Sequence, residues 1–163
     1  MGPCAAAAQA GLACYRGRGG LAPIRLLGRP VILTLIDSRG RTAYALLTGL
    51  SHRDALLRVA GVERWVPLPV LARDWRGDFA TLWRTPPGWR AGGVVLADGG
   101  AAARWLSERL DAVEPAGRAQ TLTERVFAFQ LAQGLVPDGL AGPQTLMQLN
   151  RASGVEEPQL AAP

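Results

Sequence analysis

The chain has 163 residues, enough for one medium domain or two small ones, and its 48% hydrophobic and 19% charged content fits a folded globular protein rather than a disordered one. No stretch approaches the roughly 18–20 uninterrupted apolar residues of a membrane-spanning helix. The net charge of +5 is unevenly spread: residues 1–91 carry 13 Arg against 5 acids (+8), residues 92–163 carry 5 Arg against 8 acids (−3). Without Lys/Arg clusters interleaved with aromatics, the basic half points away from nucleic acid.

Ala5–Ala8 and Gly11-Leu12-Ala13-Cys14 lack the positive n-region and unbroken apolar core of a signal peptide. The abrupt Met1-Gly2-Pro3 start is what a fragment would show. Cys4–Ala10 is Ala-rich and predicts a helix closed by Gly11. Tyr15–Gly20 reads as a Gly/Arg loop, and Leu21–Leu27 as a short amphipathic helix. The period then changes. Val31–Ile36 is a β-branched run ending in the turn Asp37-Ser38-Arg39-Gly40. Thr42–Gly49, Ala55–Val59 and Arg64–Val66 are further strands, separated by tight turns at 51–54 and 61–63. Pro67 opens a helix to Trp75, Arg76-Gly77-Asp78 breaks it, and Phe79–Trp83 is a last strand. Such short connections predict an antiparallel meander, with Trp65, Trp75, Phe79 and Trp83 filling one face.

Residues 85–97, rich in Pro and Gly, predict a linker between a domain at 1–84 and a helical one at 98–154, with 155–163 as a flexible tail. Asp98 is placed as N-cap of a helix to Ala112 bearing Trp105, Leu106 and Leu110 on one stripe; Thr121 or Thr123 caps a second helix to Gln133; Gly142-Pro143 starts a third. The fold class is therefore α+β: a small antiparallel-sheet half followed by an all-α three-helix domain.

Two cysteines, Cys4 and Cys14, form either a local disulfide or two buried thiols. With a single histidine, His52, they lack zinc-ligand spacing, so no metal and no cofactor is expected. His52 lies in a predicted turn, too close in sequence to Ser51 and Asp54 for a catalytic triad.

The informative stretch is 126–145. Phe129-Gln130, Gly134-Leu135, Asp138-Gly139, Gly142-Pro143 and Thr145 spell a helix, a glycine stop, an Asp-Gly turn and a Gly-Pro helix start. Asp138-Gly139 suits a turn of positive φ in which the carboxylate receives following amides. Those residues resemble the three-helix peptidoglycan-binding domains of cell-wall amidases. The resemblance implies Gln130, Asp138, Gly139, Gly142, Gln144 and Thr145 as binding residues; read without it, they simply build the turn. The matching loop expected before the middle helix is eroded here to Glu114-Pro115-Ala116-Gly117-Arg118, with Leu122 in place of Thr.

The first half, at Ala5–Leu12, Leu21–Leu27, Pro30–Leu35 and Ala43–Gly49, resembles the second half of bacteriocin-processing papain-like cysteine peptidases. The expected catalytic His and Asp positions hold Ala43 and Ala60. A thiol without a base is no hydrolase, so this half reads as a pseudo-peptidase and the chain as a non-enzyme. Two cysteines, a Trp-Arg-Gly-Asp-Phe…Leu-Trp-Arg end and a wall-binding domain together are similar to the periplasmic part of the general secretion pathway protein A family. That resemblance implies a periplasmic piece of an inner-membrane protein, favours the Cys4–Cys14 disulfide, and implies peptidoglycan and other type II secretion proteins as partners during secretin assembly. Left open beside it are a scaffold that binds only proteins and a remnant of a live peptidase or amidase.

Overall fold

A computed structural model describes residues 2–5, 7–90, 93–94 and 99–162. The chain divides into two compact units, one made of residues 1–83 with 157–163, the other of residues 84–156.

The first unit is a six-stranded sheet built from β1 (Ala13–Arg18), β2 (Val31–Ile36), β3 (Thr42–Leu50), β4 (Asp54–Val59), β5 (Val62–Pro67) and β6 (Trp75–Trp83), with helices α1 (Leu21–Leu27) and α2 (Leu68–Asp74). Its order is β1-β6-β2-β3-β4-β5, and every pairing between these strands is antiparallel. Strands β2 to β5 form the expected meander, but β6 inserts between β1 and β2. Alternation sorts the side chains: Val31, Leu33, Ala45, Leu47, Ala55 and Leu57 are buried and pair across β2–β4, while Ile32, Thr34, Tyr44 and Leu46 occupy the opposite face. The turns are made as the sequence proposes. Asp37 Oδ1 accepts from the amides of Arg39 and Arg41, both at 2.9 Å, and Ser51 Oγ accepts from the amides of Arg53 (3.1 Å) and Asp54 (2.8 Å).

Several expectations need correction. Cys4–Ala10 is not a helix: turns lead to a single 3₁₀ turn at Ala8–Ala10, because so short a run gains too few hydrogen bonds to offset helix nucleation. Cys4 and Cys14 are joined there in a disulfide with Cα atoms 5.4 Å apart. Tyr15–Arg18 is strand, not loop, held by pairing from Ala13↔Trp83 to Arg18↔Asp78. Arg76-Gly77-Asp78 does not break β6; the register against β2 shifts there, from Leu33↔Phe79 to Leu35↔Trp75. Phe79 and Trp83 are buried as expected, but Trp65 is 42% exposed, on the face of the sheet it shares with Leu56, and Trp75 is only half-buried.

The segment expected to fray returns to the first unit. Leu160 donates its amide to the carbonyl of Gly28 (3.0 Å), and Ala161 exchanges backbone hydrogen bonds with β3, to Thr48 (2.8 Å) and from Leu50 (3.1 Å). Ala161 forms a parallel bridge with Gly49, where an added Cβ would lie 2.9 Å from its carbonyl oxygen. Glu157 pairs with Arg29, both side chains being buried, and Arg29 also donates to the carbonyl of Leu82 at 3.3 Å.

The second unit contains α3 (Ala101–Val113), α4 (Leu122–Ala132) and α5 (Pro143–Ala152), with a 3₁₀ turn at Pro115–Ala119. Asp98 lies outside the described residues, and Gly100 occupies the N-cap of α3. Thr121 caps α4 in a full capping box with Glu124. Leu106, Leu110, Val126, Phe129, Leu146 and Leu149 are buried, whereas Trp105 is half-buried, with the Arg109 guanidinium 5.5 Å from its ring centroid. Buried Arg125 ties α4 to Asp111 of α3 at 2.7 Å.

Candidate functional site

The loop between α4 and α5 is organised by one side chain. Gln130 is 1% exposed, and its carboxamide reaches into the loop. Nε2 lies 2.8 Å from Asp138 Oδ1, 3.0 Å from the carbonyl of Leu140 and 3.0 Å from Thr145 Oγ1, so two N–H groups serve three acceptors. Its Oε1 accepts the Gly139 amide at 2.9 Å. Asp138 Oδ1 also accepts the Leu140 amide at 2.9 Å, the Asx turn that the Asp-Gly pair predicts. Gly139 has φ +73°, and Phe127 of α4 lies against it: a Cβ there would come within 2.7 Å of the ring. Both the conformation and the space therefore require glycine.

These bonds fix the charge on the loop. The Leu140 amide, and after it the Gln130 side chain, hold the Asp138 carboxyl below the ordinary aspartate range, so it is ionised at neutral pH. Asp138 is exposed, and the bonds from Gln130 and Leu140 both fall on its Oδ1.

The six residues singled out in the sequence thus fall into two sets. Gln130, Asp138, Gly139 and Thr145 form one hydrogen-bonded cluster, in which Gln130, Gly139 and Thr145 are buried. Gly142 and Gln144 begin α5; Gly142, half-buried, is its N-cap and donates to the carbonyl of Leu140 at 2.9 Å, and Gln144 is exposed. Sequence reasoning did not single out Leu131, Val136 and Leu140, three aliphatic residues left exposed on α4 and in the loop that follows it. The signal available was their apolar character at positions that a helix end and a turn would expose.

In the first unit, Ala43 lies at the start of β3 and, with Leu35, Asp37, Arg41, Thr42 and Asp74, lines a shallow cleft. Arg41 Nε pairs with Asp37 Oδ2 at 2.7 Å. Ala60 and Gly61 form the turn between β4 and β5, both with positive φ (49° and 82°). His52 is exposed between β3 and β4.

No family model matches the chain. Over 166 residues it is 34% identical to General secretion pathway protein A of Aeromonas hydrophila, a match that covers 96% of this chain and 30% of that protein. Among solved structures it resembles a periplasmic domain of the EpsAB fusion protein of the Vibrio vulnificus type II secretion system, with a TM-score of 0.59 and 25% identity, over 91% of this chain and 68% of the other. The chain is a periplasmic domain related to these secretion proteins. It spans about a third of the length of the curated relative, and the likeness runs through both the sheet unit and the helical unit. No helix among the described residues is long and apolar enough to cross a membrane.

Proposed function

We propose that this chain is a non-catalytic wall-binding module of a type II secretion assembly factor, which holds that factor to peptidoglycan while the outer-membrane secretin is assembled. The observation that carries this reading is the Gln130-centred loop: a buried carboxamide holds Asp138 and the Asp138–Thr145 segment in one conformation at the surface of a helical unit. A preset loop binds without the cost of ordering it. The 34% identity to General secretion pathway protein A supplies the pathway. The sheet unit is read as a pseudo-peptidase: Ala43 and Ala60 stand where an imidazole and its orienting carboxylate would be needed, and neither can move a proton.

A second reading, a scaffold that meets other secretion proteins without touching the wall, is favoured by the half-exposed Tyr44 and Trp65 on the sheet. Co-sedimentation with purified sacculi separates the two. The wall-binding reading expects the full chain to pellet with sacculi and Asp138→Asn to pellet less. A chain that stays in the supernatant, while it still captures other secretion proteins, leaves the scaffold.

A further inference from the structure

The sheet of the first unit ends on β5, and that edge is open. The amide of Leu68 donates to the carbonyl of Arg53 at 2.9 Å, which fixes the phase of the β4–β5 ladder. Bonds alternate along an antiparallel pair, so Val62, Arg64 and Val66 turn their backbone groups toward β4, while Glu63, Trp65 and Pro67 turn theirs outward. Pro67 has no N–H to offer. Glu63 and Trp65 each present an N–H and a C=O, and no backbone group beyond β4 bonds to them among the described residues. Both residues are exposed, as are Arg64 and, at 55%, Val62. Such a row of donors and acceptors is what an added strand uses.

The side chains restrict what that strand can be. A second copy of β5 is a poor fit. Antiparallel self-pairing in which both residues bond sets Glu63 against Trp65 of the second copy. It also places the two Arg64 side chains directly opposite each other, a like-charge pair where the strands approach most closely. Arg64 has no ion pair or hydrogen bond among the described residues, whereas the acid beside it, Glu63, is already engaged by Thr48 Oγ1 at 2.6 Å and by Arg58 at 3.2 Å. The whole unit, residues 1–83 with 157–163, holds eleven Arg against six acidic residues, a net +5. The strand that fits is therefore acidic opposite Arg64 and apolar opposite Trp65, whose ring is 42% exposed on the same face as Leu56.

We propose that the β5 edge takes an extended acidic segment of another protein as a seventh, antiparallel strand, with a carboxylate against Arg64 and an aromatic or aliphatic side chain beside Trp65. The inference concerns the sheet unit alone and does not rest on the wall-binding reading of the α4–α5 loop. Backbone bonds to Glu63 and Trp65 supply the docking, and the charge on Arg64 selects the partner.

The test uses the full chain, isotope-labelled for amide spectra, and three capped hexapeptides of valine and threonine. Each carries a tyrosine followed by one variable residue: glutamate, glutamine or lysine. At millimolar concentration the glutamate peptide is expected to shift the Glu63 and Trp65 amides and protect them from exchange, leaving those of Arg64 and Val66, already turned toward β4, little changed. Glutamine should weaken binding by about two- to fivefold and lysine by about tenfold. Arg64→Glu, a change at an exposed position, should reverse the order, so that the lysine peptide binds best while the amides of β2 and β3 keep their positions. Absence of protection with any peptide overturns the proposal, and so does equal binding of all three or an unchanged order in Arg64→Glu. Protection of both amides that grows with protein concentration, without peptide, gives the edge to a second copy and overturns it too. None of these results bears on co-sedimentation with sacculi, so the loop reading stands or falls separately.

Discussion

At the scale of single residues, Gln130 and Asp138 divide the work of the loop. Gln130 is a poor probe of binding, because its removal orphans the Gly139 amide and the Thr145 hydroxyl inside the unit. The same holds for Thr145, which a reading by motif alone would place at the ligand. Motif letters cannot separate a residue that touches a ligand from one that holds its neighbour, since both are required at fixed spacing. Asp138 is the residue that can be titrated. Its carboxyl is held low, first by the Leu140 amide and then by Gln130, so the folded state binds its proton less readily than the unfolded chain does. The stabilisation this supplies is complete above the ordinary aspartate range and is lost as pH falls through the lowered folded-state pKa. Urea melts of the helical unit at stepped pH should therefore show Asp138→Asn missing that acid-limb loss. The share is small, because the group is exposed and solvent screens it. An acid limb identical in the two proteins would mean that the loop does not hold the carboxylate.

At the scale of elements, the strands and helices that local pattern specifies were legible, and those that depend on distant partners were not. Leu21–Leu27 appears with the predicted bounds, and Val31–Ile36 likewise, because apolar period and flanking turns fix them locally. Strand β1 was invisible: Ala13-Cys14-Tyr15-Arg16-Gly17-Arg18 has weak strand propensity, and only β6, whose paired residues lie 60 to 70 positions further on, makes it a strand. The same long-range pairing keeps Arg76-Gly77-Asp78 in β6. The β4–β5 turn offers a test at this scale. Ala60 holds φ +49° ahead of Gly61, the left-handed pair that a two-residue hairpin needs and that alanine tolerates poorly. Ala60→Gly should raise the stability of the sheet unit by up to about 1 kcal/mol, since relief of the left-handed conformation outweighs the extra freedom of glycine in the unfolded chain. Chemical denaturation followed by Trp65 fluorescence would measure it. A destabilised variant would argue that the alanine methyl makes a contact worth more than the relaxed backbone.

At the scale of the whole molecule, the order of the chain differs from a string of two domains and a tail. The sheet unit is left at Trp83 and completed only when the chain returns at Glu157, so the helical unit is tethered at both of its ends. Composition pointed the other way: Val155–Pro163 is short, rich in Pro and Ala and terminal, which ordinarily predicts fraying. What overrides that expectation is a buried ion pair and three backbone hydrogen bonds, none of which leaves a periodic trace in sequence. Arg29 is only 7% exposed at its side chain, and Glu157 only 8%. Removing one partner leaves the other charge buried, a change that costs about 3–5 kcal/mol in comparable sites. Glu157→Ala should therefore destabilise the sheet unit by an amount of that order, while α4 and α5 keep their own stability. Native-state hydrogen exchange reads the two units separately: protection of the buried β2 and β3 amides at Leu33 and Leu47 should fall, and that at Phe129 should stay. A paired Arg29→Met/Glu157→Leu variant distinguishes charge from strap. If it recovers the protection lost in Glu157→Ala, the tail holds the sheet by burial and backbone pairing, with the ion pair only compensating its own desolvation. Failure of both variants alike would make the ion pair itself the fastening.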